Sequence, residues 1–271
     1  MSDNILHIDN VCYCYKRSDW KLNPIELAVK RKDFIGIVGS NGSGKSTLLK
    51  IAAGILSPDQ GSVLLEGKPI NKIPRRKLAQ KIGYLPQRIN TVFDFSVKEV
   101  VSMGRFCHSK GFGGGVTTKN DDQIIHDCMN ATETFCLRNR TISELSGGER
   151  QRVMLASVLA QQPDIMLLDE PVGGLDLHHQ ISFFKLLSQC SSKAMAVVVI
   201  THDLNLASQF CDKILMLNRG QKEIFDSADK VFERISQMGD YSENISILRH
   251  PVNQKPAVLP YHNQNKDTNS A

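Results

Sequence analysis

The stretch GSNGSGKST, from Gly39 to Thr47, constrains this chain more than any other. It follows a short apolar run, FIGIVG at 34–39, and opens STLLKIAAGIL, which is apolar at helical spacing until Ser57-Pro58 stops it. A strand running into a glycine loop and out into a helix is the setting in which backbone N–H groups converge on phosphate oxygens. Gly39, Gly42 and Gly44 let the backbone curl, Ser40, Asn41 and Ser43 lie between them, and the helix that follows adds its dipole. Lys45 is expected to reach the β- and γ-phosphates and the Ser46 hydroxyl to ligate Mg²⁺, with Thr47 next in the helix. The loop predicts a nucleoside triphosphate but does not separate ATP from GTP.

Such a loop needs a second Mg²⁺ partner at the end of another strand. The run Ile165-Met-Leu-Leu-Asp169 supplies it, a buried apolar strand ending in a carboxylate. Glu170, the next residue, stands where a water could be polarised for in-line attack, so it is assigned as general base.

The rest of the pattern alternates strand and helix. Antiparallel strands are expected from Ile5 to about Leu27, and a strand and turn in GSVLLEGKPI. RRKLAQ reads as a short helix and KIGYLPQ as a strand. From about 92 to 160 the character turns helical, with a flexible KGFGGG between two helices. Strand DIMLLDE, helix HHQISFFKLLSQC, strand AMAVVVITHD, helix LNLASQFC and hairpin KILMLNRGQKEIF follow. Such alternation predicts a mostly parallel sheet wrapped by helices. The domain is expected to span 1–254, and the polar 255–271 to be a disordered tail.

Bulk properties exclude other classes. The net charge of +5 comes from scattered Lys and Arg, so no nucleic-acid partner is expected. No apolar run approaches the ~18–20 residues of a membrane span, and MSDNILHIDN has no secretory pattern, which predicts a chain kept on the cytoplasmic side. The seven cysteines include no CxxC, so Cys12 and Cys14 read as reduced strand residues, and His178 and His179 as surface residues.

A second glycine loop, Leu145-Ser146-Gly147-Gly148-Glu149, opens another helix. With it, the chain from about residue 5 to 225 resembles the ATP-binding cassette family, the nucleotide-hydrolysing subunits of ABC transporters. The resemblance implies an α/β P-loop NTPase core with an antiparallel β subdomain and an inserted α-helical subdomain. It also implies ATP as the nucleotide. Tyr15, with Trp20 as the alternative, matches the aromatic residue that stacks on adenine. Gln87 matches the glutamine that contacts Mg²⁺ or water, and His202 the switch histidine on the γ-phosphate. Gly174-Leu175-Asp176 matches the loop that passes between subunits. In this family two cassettes pair head to tail, so Ser146, Gly147 and Gly148 are expected to close over ATP held by a second copy. Glu149 stands where many members have Gln.

RRKLAQKIGYLPQ, VKEVVSMGR, LDLHHQ, THDLNLASQFCDKILMLNRG and HPVNQKPAVLP resemble importer cassettes for iron–siderophore, haem and cobalamin complexes. EPVGGLD has a flavour of zinc and manganese importers, which keeps that cargo as the alternative; a non-transport cassette is the remaining one. The partners implied are a transmembrane permease and, indirectly, a periplasmic or lipid-anchored binding protein. The place implied is the cytoplasmic face of the inner membrane.

Overall fold

The computed structural model describes residues 4–16, 19–87, 94–109, 118–237 and 245–261. Three sequence runs form the centre of the fold: β3 (Phe34–Val38), β7 (Ile165–Asp169) and β8 (Ala196–Ile200). Every residue in them is buried, because a parallel sheet is covered on both faces and cannot alternate. With β6 (Ile82–Leu85), β9 (Lys213–Asn218) and β10 (Gln221–Asp226) they make a six-stranded sheet, ordered β10-β9-β3-β8-β7-β6. Only β10 runs antiparallel, as the return arm of a hairpin on β9.

A second sheet, β2-β1-β4-β5, is antiparallel, as the alternating N-terminal pattern predicts. Its strands are β1 (Asn4–Cys14), β2 (Lys21–Lys30), β4 (Gln60–Leu65) and β5 (Lys68–Pro69). One apolar cluster joins this sheet through Val11, Ile25 and Val29 to helix α1 (Lys45–Ala52) and one face of the central sheet. The short α2 (Arg75–Ala79) adds Leu78 to it. The other face packs α3 (Val97–Met103), α4 (Lys119–Ala131), α5 (Gly147–Ala160), α6 (Leu177–Ser192), α7 (Leu204–Phe210) and α8 (Ala228–Ser236). Phe34 on β3 stacks on Phe184 of α6 at 6.1 Å between centroids; burying a side chain of that size contributes about 1.5–3 kcal/mol.

The expected start of the helical region at 92 and the KGFGGG stretch lie outside the described residues. Helices α3, α4 and α5 pack through Val101, Ile125, Met129 and Leu155, and a partly buried ion pair ties them further. Arg105, just past α3, donates from Nε to Asp121 Oδ1 at 2.7 Å and from Nη1 to the Ala160 carbonyl at 2.7 Å and Gln162 Oε1 at 3.0 Å. Asp121 also closes the capping box of α4 with Thr118. Hydrogen bonds from Thr118, then Arg105, pull its carboxyl from 3.8 down to about 2. Arg105→Leu leaves Asp121 Oδ1 and two other acceptors unanswered while Oδ2 keeps its bonds from Thr118, and urea unfolding should show a loss of about 1–3 kcal/mol. A loss under about 1 kcal/mol would contradict the assignment. Because folding lowers the Asp121 pKa, its contribution is complete above pH 3.8 and fades as pH falls toward 2.

The C-terminus corrects one expectation. Residues from 255 are not uniformly tail: Pro256–Pro260 forms β12, paired antiparallel with β11 (Ile245–Arg249) from Ile245↔Pro260 to Arg249↔Pro256. The apolar PAVLP is a strand whose partner lies several residues upstream and whose Val258 packs on the core; in the sequence, the polar run after it masks it. Residues 262–271 lie outside the described residues. None of the described helices is long and apolar enough to cross a membrane.

Candidate functional site

Four neighbouring strands, β3, β8, β7 and β6, point their C-terminal ends the same way, where open α/β sheets bind ligands. Past those ends come, respectively, Gly39, His202, Glu170 and Gln87. Strand register aligns Ile37 and Asp169 with Ile200, so the chemistry-bearing residues leave the sheet at one level. Gln87, Glu170 and His202 floor a cavity of ≈ 580 Å³ lined also by Tyr15, Trp20, Asn41, Gly42, Gly44, Lys45, Ser46 and Thr47.

The glycine loop is tightly built. Gly39 has φ 145°, and a Cβ there would stand 2.0 Å from the Leu217 carbonyl oxygen. Ser43 N–H donates to the Ser40 carbonyl at 3.2 Å, which tightens the turn, and the Ser43 carbonyl receives the Gly220 N–H at 3.1 Å. Gly44, at φ 101°, is the N-cap of α1 and has no side chain to claim the first-turn N–H groups. Those donors face the cavity, as anion binding requires. Lys45 donates to the carbonyls of Gly39 and Ser40, both at 2.9 Å. An ammonium has three protons, so one remains for a ligand. Burial pushes the Lys45 pKa down, opposed by the carboxylates of Glu170 and Asp169.

Ser46 Oγ donates to Asp169 Oδ1 at 2.9 Å. Burial raises the Asp169 pKa against that bond, and the charge of Glu170 raises it further. Tyr84, opposite Leu167 across β6 and β7, has a buried hydroxyl without a hydrogen-bond partner; burial and then Asp169 push its pKa up to about 12. Two hard oxygens side by side, a destabilised carboxylate and an orphaned hydroxyl fit a small divalent cation with waters. Local sequence carries no sign of Tyr84; only cross-strand register brings it to Asp169.

Glu170 has both carboxylate oxygens held. Gln87 Nε2 donates to Oε2 at 2.5 Å and His202 Nε2 meets Oε1 at 2.6 Å. Its backbone is left-handed, φ 49°, which costs a non-glycine residue strain and turns the carboxylate out of the strand line. A carboxylate fixed by two side chains at the cavity floor can accept a proton from a water.

The two aromatic residues differ in exposure and contacts. Tyr15 is 39% exposed and its hydroxyl meets Thr47 Oγ1 at 3.1 Å. Trp20 lies 6.0 Å from Tyr15 between centroids and is wedged behind Gly44, where a Cβ would come within 2.9 Å of its ring. Tyr15 thus offers the open ring face and Trp20 the backing.

Ser146, Gly147, Gly148 and Asp176 do not join this cavity. Ser146 is the N-cap of α5, exposed, with Oγ donating to Glu149 Oε2 at 2.8 Å and accepting from Glu149 N–H at 3.3 Å. Glu149 is therefore a capping-box residue, held below the usual carboxylate range by Ser146 N–H and hydroxyl. Gly148 packs near Leu175, where a Cβ would lie 3.1 Å from its side chain. Asp176 caps α6 through His179 N–H at 2.9 Å and pairs with the His179 ring at 2.7 Å. The chain carries two glycine loops that it does not bring together.

Comparison with known proteins agrees with this layout. Residues 22–173 match the family model described as ABC transporter. The hemin import ATP-binding protein HmuV of Thermobifida fusca is 38% identical over 88% of this chain and 83% of its own length. HmuV of Pseudomonas putida is 34% identical over 94% of this chain and 99% of its own. Among solved structures, an inward-facing transporter described as of the metal-chelate type superposes with TM-score 0.80 at 26% identity, covering 96% of this chain and 98% of the other. The dimeric bacterial cassette MJ0796 gives 0.74 at 29% identity, covering 82% and 98%. Fold, phosphate loop and whole-length similarity agree: this chain belongs to the ATP-hydrolysing, ATP-binding cassettes of ABC transporters.

Proposed function

We propose that two copies of the chain pair head to tail around two ATP molecules and drive uptake of haem, or another iron chelate, through a separate transmembrane permease. The pair would sit peripherally on the cytoplasmic face of the membrane, with a binding protein delivering cargo on the far side. The hydrolytic part of this reading rests on Glu170, whose two oxygens are held by Gln87 and His202 at the cavity floor. The cargo rests on the hemin-import relatives and the metal-chelate transporter, which favour it over the zinc and manganese alternative.

Each residue has a task that its surroundings support. Tyr15 stacks on adenine, while N–H groups of Gly42, Gly44 and Lys45 take phosphate oxygens. Lys45 turns its remaining proton to the β- and γ-phosphates. Ser46 and Asp169, with the Gln87 amide oxygen, would hold Mg²⁺, which when bound supplies charge neutralisation for the phosphate oxygens. Glu170 takes the proton of the attacking water, and His202 holds the γ-phosphate in line. Ser146 and the N–H groups of Gly147 and Gly148 from the second copy complete the shell. Closure moves the groove near Gln87, through which the permease feels the ATP state.

The cargo is tested by reconstituting the chain with its permease in liposomes and comparing ATP-dependent uptake of haem, a ferric siderophore, cobalamin and zinc. Uptake of haem or the ferric siderophore is expected. Zinc uptake without either would overturn the cargo assignment.

A further inference from the structure

The C-terminal hairpin is fastened to α7 along the length of that helix. Asn205, in its first turn, uses both ends of one amide: Nδ2 donates to the Val258 carbonyl at 3.1 Å and Oδ1 accepts from Val258 N–H at 2.7 Å. One side chain thus satisfies both backbone groups of the central residue of β12, as a neighbouring strand would. Farther along, the buried Ser208 donates from Oγ to the Pro256 carbonyl at 2.6 Å, and Lys255 Nζ to the Gln209 carbonyl at 2.8 Å.

Helix α7 begins beside the reactive carboxylate. Its N-cap is Asp203, which accepts from Leu206 N–H at 2.9 Å and is tied back by its own N–H to Thr201 Oγ1 at 3.1 Å. His202 sits between Thr201, anchored to Ile37 of β3, and that cap. A helix of seven residues has little stability of its own, so its placement depends on what it packs against. Covering its apolar side would need only contacts such as Val258 makes. Two directed hydrogen bonds on exposed Asn205, three residues from His202, do something more specific.

We propose that the β11–β12 hairpin is a positioning element for His202, acting through Asn205 on the first turn of α7. It rests on the reading of His202 as the γ-phosphate contact. A loosened α7 lets the imidazole drift from the in-line geometry while the adenine and phosphate donors of the loop stay in place. Asn205 is then a positioning residue whose loss appears in kcat and not in KM.

The test is steady-state hydrolysis of Mg-ATP by the purified full chain carrying Asn205→Ala, Asn205→Asp, His202→Ala, or Asn205→Ala with His202→Ala. Asn205→Ala is expected to lower kcat roughly three- to tenfold with KM for ATP unchanged. Asn205→Asp keeps an acceptor for Val258 N–H but sets its other carboxylate oxygen against the Val258 carbonyl, so it should recover only part of that loss. In the His202→Ala background, Asn205→Ala should have no further effect. An undiminished kcat in Asn205→Ala, or equal losses with and without His202, would overturn the proposal. An unchanged kcat in His202→Ala alone would instead remove the reading of His202 on which it rests. Should Asn205→Ala fold poorly, Asn205→Leu, which fills the same space without either hydrogen bond to Val258, is compared with Ser208→Ala, with the larger kcat loss expected where the His202 end is released.

Discussion

Glu170→Gln should bind ATP as tightly as the parent chain, close into a dimer and stall there, with turnover lower by roughly 10²–10⁴-fold. The substitution is nearly isosteric. A glutamine can still accept from Gln87 or meet the His202 ring, so the cavity floor keeps its shape, and only the capacity to take a proton goes. Because binding and closure precede hydrolysis, the ATP-bound pair should accumulate. Size-exclusion chromatography with Mg-ATP would show a stable dimer, and phosphate release would show the loss of rate. Turnover above about a tenth of the parent would mean that another group takes the proton.

Ser146→Ala should lose hydrolysis by roughly 10²–10³-fold while the single chain binds ATP as before. Its hydroxyl lies outside the cavity, on the exposed cap of α5, so no ATP contact within one chain is removed. Losing an N-cap costs about 1 kcal/mol, so chemical denaturation should show the variant folded. A mixing experiment sharpens the point. Chains with Lys45→Ala and chains with Ser146→Ala are each inactive alone, but a mixed pair holds one composite site with an intact Lys45 and an intact Ser146. Hydrolysis restored on mixing supports a shared site; none on mixing, or collapse of ATP binding in Ser146→Ala, argues that both loops act within one chain.

Both predictions start from features visible in the sequence. The apolar runs FIGIV, IMLL and AVVVI announce strands buried on both faces, and Asp169 and Glu170 directly after the second announce a site. The glycine loop announces its own conformation, because positive φ at Gly42 and Gly44 is what such spacing is for. What stayed hidden depends on pairing between distant segments. The short, proline-flanked PAVLP has no strand signal of its own without Ile247 opposite Val258 and Asn205 beside it, so in the sequence it merges with the polar run that follows. Trp20 packs behind Gly44 while Tyr15 stays the more exposed of the two rings, a contact no local pattern encodes. Glu149 is legible locally: Ser146-x-x-Glu149 ahead of an apolar helix is a capping box.

The left-handed backbone of Glu170 sets stability against turnover at a single position. Glycine and asparagine are the residues most at ease at φ near 50°, and either would relax the chain there by on the order of 1 kcal/mol. Either would also delete the proton acceptor. Random drift toward a sturdier fold therefore points straight at a dead enzyme. Only selection for transport holds glutamate in place, so a stabilised library of this chain should be screened for ATP turnover before it is screened for melting temperature.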